Sequence, residues 1–318
     1  MIARLQRITT ILMLVAASGW AWFFIDRGAP FVAALGAISI IFGYAAFLAI
    51  EFVLLATVGR DGGSAPPSLR DLFCAWAGEV LKTPAVFCWR QPFRALAEPD
   101  SLSNVHQGCR GVLLVHGFMC NRGFWNSWMQ RLRWLGVPFI AVNLEPPFGS
   151  IEQLIPQIET SVTRLRQATG MAPVIVAHSM GGLAVRAWMA SRHIGHEVDR
   201  VVTIASPHQG TWLARFFHAP NGVEMRLGSA WLSALSARES AETTKRFICY
   251  YGPCDNIVFP VSTATMRGAD NRRLEATAHV QMAFHPAVFD TVLQALQQPP
   301  SGPVKCPEPT PASLQSTD

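Results

Sequence analysis

The run Val174-Ile175-Val176-Ala177-His178-Ser179-Met180-Gly181-Gly182-Leu183-Ala184-Val185-Arg186 decides the fold. Its first four residues are apolar and mostly β-branched, the pattern of a strand buried on both faces. Leu183 to Arg186 read as the start of a helix, so a sharp strand-to-helix turn lies between, with Ser179 at its apex. Such a turn needs small residues two positions either side of the serine, so that strand and helix can approach, and it lifts the hydroxyl above the end of the sheet. Ala177 and Gly181 meet that need; alanine stands where glycine is more usual and adds one methyl group.

Upstream, Leu113-Leu114-Val115-His116-Gly117-Phe118 ends a second apolar run in a His-Gly turn. A turn of this type aims a backbone N–H at a developing oxyanion, with the residue after the nucleophile giving the second donor. The expected donors are Phe118 and Met180, with His116, Gly117 and His178 bordering the site. A serine nucleophile also needs a base and an acid that orients it. Phe247 to Tyr251 reads as a strand running into Gly252-Pro253-Cys254-Asp255, which presents Asp255 as the acid, although an Asx turn former would suit the same place. Asp270, in the polar run Arg267 to Asn271, is the reserve acid and reads as part of a solvated loop. Chain order then leaves His279 and His285 as bases. His279 is preferred, because His285 precedes Pro286 and reads as the approach to the last helix. His193 and His196 have the spacing of two metal ligands on one helical face, but no third ligand is near, and they read as a helix end. No metal or organic cofactor is expected.

Outward from these motifs, strand-length and helix-length segments alternate. Val112 to Val115, Phe139 to Val142, Val174 to Ala177, Val201 to Ala205 and Phe247 to Tyr251 are candidate strands. Phe124 to Leu135, Ile151 to Ala168, Gly181 to Ala190 and Pro286 to Leu296 are candidate helices. The alternation predicts an α/β domain over 111–298: a mostly parallel sheet covered by helices on both faces.

With those motifs in order, the region from Gly111 to Leu296 resembles the α/β-hydrolase superfamily and, within it, bacterial lipases and related acyl-ester hydrolases. The carrying motifs are H-G-F at His116, A-H-S-M-G-G at Ser179, S-P-H-Q-G-T from Ser206 to Thr211, D-N-I-V-F-P at Asp255 and A-H-V-Q-M at His279. The resemblance implies an α/β-hydrolase fold and a Ser179–His279–Asp255 triad acting through an acyl-enzyme. It also implies that the long segment 210–245, with Trp212, Leu213, Phe216, Phe217, Leu227, Trp231, Leu232 and Leu235, is a lid or an acyl-chain wall; a packed helical insertion fits the same residues. A structural calcium, held by some lipases, is compatible with it. The aromatic stretch Phe124 to Trp128 would extend that wall.

The remainder of the chain departs from secreted lipases. Half of its 318 residues are hydrophobic, only 15% are charged, and the formal net charge is +5; the mean hydropathy is +0.24. These values exclude a largely disordered chain and give no electrostatic case for nucleic acid. The apolar excess lies in two runs, Ile8 to Ile25 and Pro30 to about Thr57, each long enough to cross a bilayer. They predict a transmembrane hairpin over 1–59. A cleaved signal peptide is the competing reading of the first run, but Trp20, Trp22, Phe23 and Phe24 suit an interfacial belt better than a cleavage site. Glu51 could be a functional intramembrane carboxylate, but its place near the end of the second run favours a snorkelling interfacial residue.

Arg4, Arg7, Arg60 and Arg70 flank the hairpin outside and only Arg27 lies between its helices, which points both ends to the cytoplasm. With the bacterial resemblance, the expectation is a two-pass inner-membrane protein whose catalytic domain faces the cytoplasm. Seven cysteines, an odd number, fit a reducing compartment. Asp61 to Pro67 reads as a linker and Leu69 to Phe93 as an amphipathic helix, with Leu69, Leu72, Phe73, Trp76, Ala77 and Val80 on one face. The 299–318 tail is Pro-rich and reads as disordered. A tethered site of this kind favours a lipid or other acyl ester as substrate, with the membrane as its partner. An acyltransferase or thioesterase would use the same triad, and a non-catalytic membrane binding protein the same fold.

Overall fold

Six strands form one sheet: β1 (Val112–Val115), β2 (Phe139–Ala141), β3 (Val174–His178), β4 (Arg200–Ile204), β5 (Phe247–Tyr251) and β6 (Asp270–Arg273). The computed structural model describes residues 1–59, 66–102, 107–192 and 197–298. His193, His196, most of the 61–67 linker, Cys306 and the Pro-rich tail lie outside the described residues.

The strand order is β2-β1-β3-β4-β5-β6 and every pairing is parallel. Parallel strands bury both faces, and β1, β2 and β3 are buried throughout. Burial of each aliphatic side chain there is worth about 1.5–3 kcal/mol. β6 corrects the sequence reading. Asp270 was expected in a loop, yet Asp270-Asn271-Arg272-Arg273 pairs with Ile248 to Tyr251 at the sheet edge. An edge strand needs only one neighbour and no apolar face, so hydrophobic patterning does not reveal it, and charged residues protect such an edge.

Helices cover both faces. On one side lie α5 (Ile155–Thr169) and α6 (Met180–Arg192), whose Ile158, Val162, Leu165, Leu183 and Trp188 pack on Leu113, Val115, Ile175 and Val201. On the other lie α4 (Asn126–Trp134) and α11 (Pro286–Gln297), whose Trp128, Met129, Leu132, Val288 and Val292 pack on Val112, Leu114, Val176 and Val202. Strand order reverses at β1, and the carboxyl ends of β1 and β3 on either side of such a switch point are where open α/β sheets bind ligands.

Before the sheet come α1 (Ile2–Asp26) and α2 (Pro30–Val58), both long and apolar enough to cross a membrane. Few of their residues are buried; Phe31, Leu35, Ile38, Phe42, Phe47 and Ile50 all project outward from α2. The far end of α2 is different, because Phe52 and Leu55 enter a small core with Ala75, Cys254, Phe259 and Ala278. α3 (Leu69–Thr83) opens on a capping box between Ser68 and Asp71 and continues into a π-helical turn, Pro84–Arg90. Its inward stripe also differs from the expected one. Leu72, Ala75, Trp76 and Glu79 face the domain at i, i+3, i+4 and i+7, while Leu69 and Phe73 are exposed.

Segment 210–245 folds into a 3-10 turn, Trp212–Phe216, and helices α7 (Pro220–Glu224), α8 (Ala230–Arg238) and α9 (Ala241–Thr244). Ala214, Met225, Leu232 and Leu235 join the main core. Phe216, Phe217 and Leu227 remain exposed.

Candidate active site

Ser179 sits directly after β3 with φ +55°, a left-handed conformation that costs a non-glycine residue energy and marks functional turns. Its N–H donates to Ile204 O at 2.8 Å, and its carbonyl accepts from Gly182 N at 3.0 Å. The close approach explains the glycines around it. A Cβ on Gly181 would lie 2.5 Å from His116 O, and one on Gly117 would lie 2.8 Å from the Ser179 Cβ. Ala177 is fully buried within β3, so its extra methyl is accommodated.

Gly117 therefore brings the β1 turn against the serine. Among the described residues, neither the Phe118 nor the Met180 amide is taken by another group of the chain. His116 fixes this turn: its Nε2 accepts from Leu144 N at 3.0 Å, which leaves Nδ1–H to donate to Gly117 O at 2.9 Å. The bond accepted at Nε2 requires a neutral ring, and burial pushes the His116 pKa down to about 4. The unfolded chain protonates such a group near pH 6.5, so stability falls as pH drops from about 6.5 to 4, by about 3 kcal/mol in all. His116→Gln keeps a donor and an acceptor but does not titrate. Melting temperatures across that window should fall less steeply for the variant, and parallel curves would refute the assignment.

β5 delivers Asp255, which is buried. Its Oδ1 accepts from Ile257 N and Val258 N, both at 2.9 Å, and from His279 Nδ1, also at 2.9 Å. Oδ2 lies 3.1 Å from the same nitrogen. His279 begins a four-residue helix, α10 (His279–Met282), ahead of α11. Burial alone would depress the His279 pKa, but the carboxylates of Asp255, Glu79 and Glu51 outweigh it and raise the group above its ordinary value. The ring packs 4.7 Å from that of His178, the residue before Ser179, and His178 Nε2 lies 3.2 Å from His279 O. No hydrogen bond joins Ser179 Oγ to His279 among the described residues.

His178 stacks on Phe124 at 4.7 Å. Burial and the neighbouring His279 hold it neutral, far below the usual imidazole range. Asp270 is remote from this arrangement in its bonds: it is exposed and pairs with Arg272 at 2.8 Å. His285 caps α11 by accepting from Ala287 N. Phe124, Trp125 and Trp128 are core residues rather than a substrate wall. Above the β1 turn, Phe118 meets Phe148 at 5.9 Å and the insertion's Phe217 at 5.6 Å, both edge to face.

The structure corrects the reading of one carboxylate and adds a second. Glu51 does not snorkel: it is buried, and its carboxylate accepts from Asn256 Nδ2 at 2.6 Å. Asn256 Oδ1 in turn accepts the His279 backbone N–H at 3.2 Å. Glu79, 2% exposed, accepts from Val280 N at 2.9 Å and Gln281 N at 3.0 Å. Burial pushes its pKa up to about 7. A carboxylate on the i+4, i+7 stripe of an amphipathic helix was the signal available for it. Behind the elbow, Arg186 of α6 pairs with Glu239 through two bonds of 2.7 Å and donates to His208 O at 2.7 Å. The six described cysteines are free, and among the described residues no cluster of three or more His, Cys, Asp and Glu is arranged to hold a metal.

A parallel sheet of this order, with a serine in a left-handed turn after β3 and an Asp–His pair after β5, has the α/β-hydrolase fold. Residues 150–296 match the family described as a PGAP1-like alpha/beta domain. Among solved structures, the mature form of the Bacillus licheniformis lipase BlEst2 is similar at 14% identity, over 62% of this chain and 96% of that one, with a TM-score of 0.52. Aspergillus fumigatus lipase B is similar at 16% identity, over 68% of this chain and 59% of that one, with a TM-score of 0.54. No curated protein matches the sequence.

Proposed function

We propose that this chain is a membrane-anchored serine hydrolase that cleaves carboxylic esters, of lipid or other acyl type, through Ser179, His279 and Asp255. The observation that carries the reading is the buried His279–Asp255 pair, whose imidazole packs on His178, the residue before a serine in a left-handed turn. In the proposed reaction the Ser179 oxygen attacks the ester carbonyl as His279 takes its proton. Asp255 holds the imidazole with Nδ1–H toward it, and the amides of Phe118 and Met180 receive the oxyanion. The alcohol leaves with the proton from His279, and water releases the acid from the acyl-enzyme. Substrate closes the gap between serine and histidine, as happens in sites that tighten on binding.

The lipid assignment rests on the aromatic group of Phe118, Phe148 and Phe217 beside the β1 turn. The two apolar helices that run into the same domain support it further. A substrate with an acyl chain would find apolar surface there, and the anchor would keep it close to lipid.

The test is reaction of the detergent-solubilised protein with a fluorophosphonate, followed by mapping of the adduct. Label confined to the peptide carrying Ser179 supports the proposal, and folded protein that stays unlabelled in mixed lipid micelles defeats it. The pH dependence has a defined sign. Only the neutral imidazole accepts a proton, and the His279 pKa is raised, so labelling should climb with pH and reach half its plateau above pH 6.5. Asp255→Asn removes the nearest charge and should move that midpoint downward.

A further inference from the structure

We propose that Glu51 and Glu79 are positioning residues for His279, so that the end of α2 and the helix α3 form part of the catalytic apparatus. This rests on the triad reading above. His279 opens a helix of only four residues, too short to hold its own shape. Its place is therefore set by whatever binds its backbone. Three successive amides are bound by side chains: His279 N–H by Asn256 Oδ1, Val280 N–H by Glu79 Oε1, and Gln281 N–H by Glu79 Oε2. Glu79 belongs to α3, and Asn256 is held by Glu51 of α2.

Neither contact is a surface accident. Both carboxylates are buried, and Glu51 is the sole charged residue of the 29-residue α2. Burying a carboxylate in an apolar helix is costly unless it is bonded, and here its bond leads to the loop that carries Asp255. Around it, Phe52, Leu55, Ala75, Cys254, Phe259 and Ala278 close a small apolar core that ties α2 and α3 to the loops before and after the acid and base. At the same open end of the hairpin but on its other helix, Gln6 Nε2 of α1 donates to Met119 O, one residue beyond the expected oxyanion donor Phe118. Both helices of the hairpin thus touch a loop of the site. A displacement of about 1 Å in such a site costs on the order of a hundredfold in rate.

The experiment compares Glu51→Leu, Glu51→Gln and Glu79→Gln with the wild type in the full chain. The readouts are melting temperature, fluorophosphonate labelling rate per folded molecule, kcat and KM for p-nitrophenyl butyrate, and the pH midpoint of labelling. Leucine suits an apolar helix, and Glu51→Gln keeps an oxygen for Asn256. The charged and titratable groups facing His279 are Asp255, Glu79, Glu51 and His178. Glu51→Leu and Glu79→Gln should each lower labelling and kcat by about tenfold or more, with KM within about threefold. Their labelling midpoints should move to lower pH, and Glu51→Gln should recover to within about threefold of wild type. Folded variants with wild-type rates and midpoints would overturn the inference, as would losses seen only in melting temperature. If Glu51→Leu fails to fold, Glu79→Gln and Glu51→Gln decide by the same readouts. A wild type that does not label would overturn the triad reading itself, whereas a labelling wild type with unaffected variants defeats only the positioning role.

Discussion

Ser179→Ala should lower kcat for ester hydrolysis by about a millionfold and abolish fluorophosphonate labelling. His279→Ala should cost nearly as much, and the double variant little more. The reason is chemical: serine without a base is a weak nucleophile, and a base without the serine has only water to activate, so the two act as a unit. The remaining rate would come from the amides of Phe118 and Met180 and from substrate binding. The fold should survive both changes, because the left-handed turn is held by backbone bonds of Ser179 to Ile204 and Gly182. Hydrolysis assays on purified, folded variants check the prediction. Activity within tenfold of wild type for Ser179→Ala would assign the chemistry elsewhere.

Arg186→Met should destabilise the domain by about 3–5 kcal/mol, lowering its melting temperature by roughly 10 °C. The Arg186 and Glu239 side chains are 2% and 5% exposed, and their fork of two 2.7 Å bonds is satisfied only as a pair. Removing the cation strands a carboxylate away from water, and it also frees the His208 carbonyl, which the third guanidinium nitrogen holds. Arg186 lies on the helix that follows Ser179, His208 lies in the loop after β4, and Glu239 ends α8. One side chain thus binds the elbow helix to the insertion. Arg186→Met with Glu239→Leu should recover most of the loss, since an apolar pair carries no desolvation cost. Thermal melts of the three variants decide it; a single variant as stable as the wild type would show that the fork contributes nothing.

The parallel core was legible because buried parallel strands are apolar without interruption: β1 and β5 have the residues read from the sequence, and β3 extends one residue further, to His178. The positions of Ser179 and Asp255 were legible because each follows a strand read from the sequence and a sharp turn imposes small neighbours, whereas His279, which opens a short helix, was reached only by chain order and is found bonded to Asp255. β6 was not, because an exposed edge strand carries no apolar signal. Glu51 was misread and Glu79 missed for another reason. Their partners are backbone amides and an asparagine some 200 residues away in the chain, and no periodicity reports what a buried carboxylate will meet.

The length of α2 carries a kinetic consequence. Its 29 residues span about 43 Å against a hydrocarbon layer of about 30 Å, so a helix that crossed such a layer would leave roughly nine residues at the domain end clear of the acyl chains. In the proposed anchored form, Glu51 lies at that boundary and the serine is held within a fixed, short reach of the lipid surface. Encounter with an ester dissolved in the bilayer is then a search in two dimensions. Turnover would follow the mole fraction of substrate in the surface, and diluting it with inert lipid at constant bulk concentration would slow the enzyme as surely as removing it from the flask.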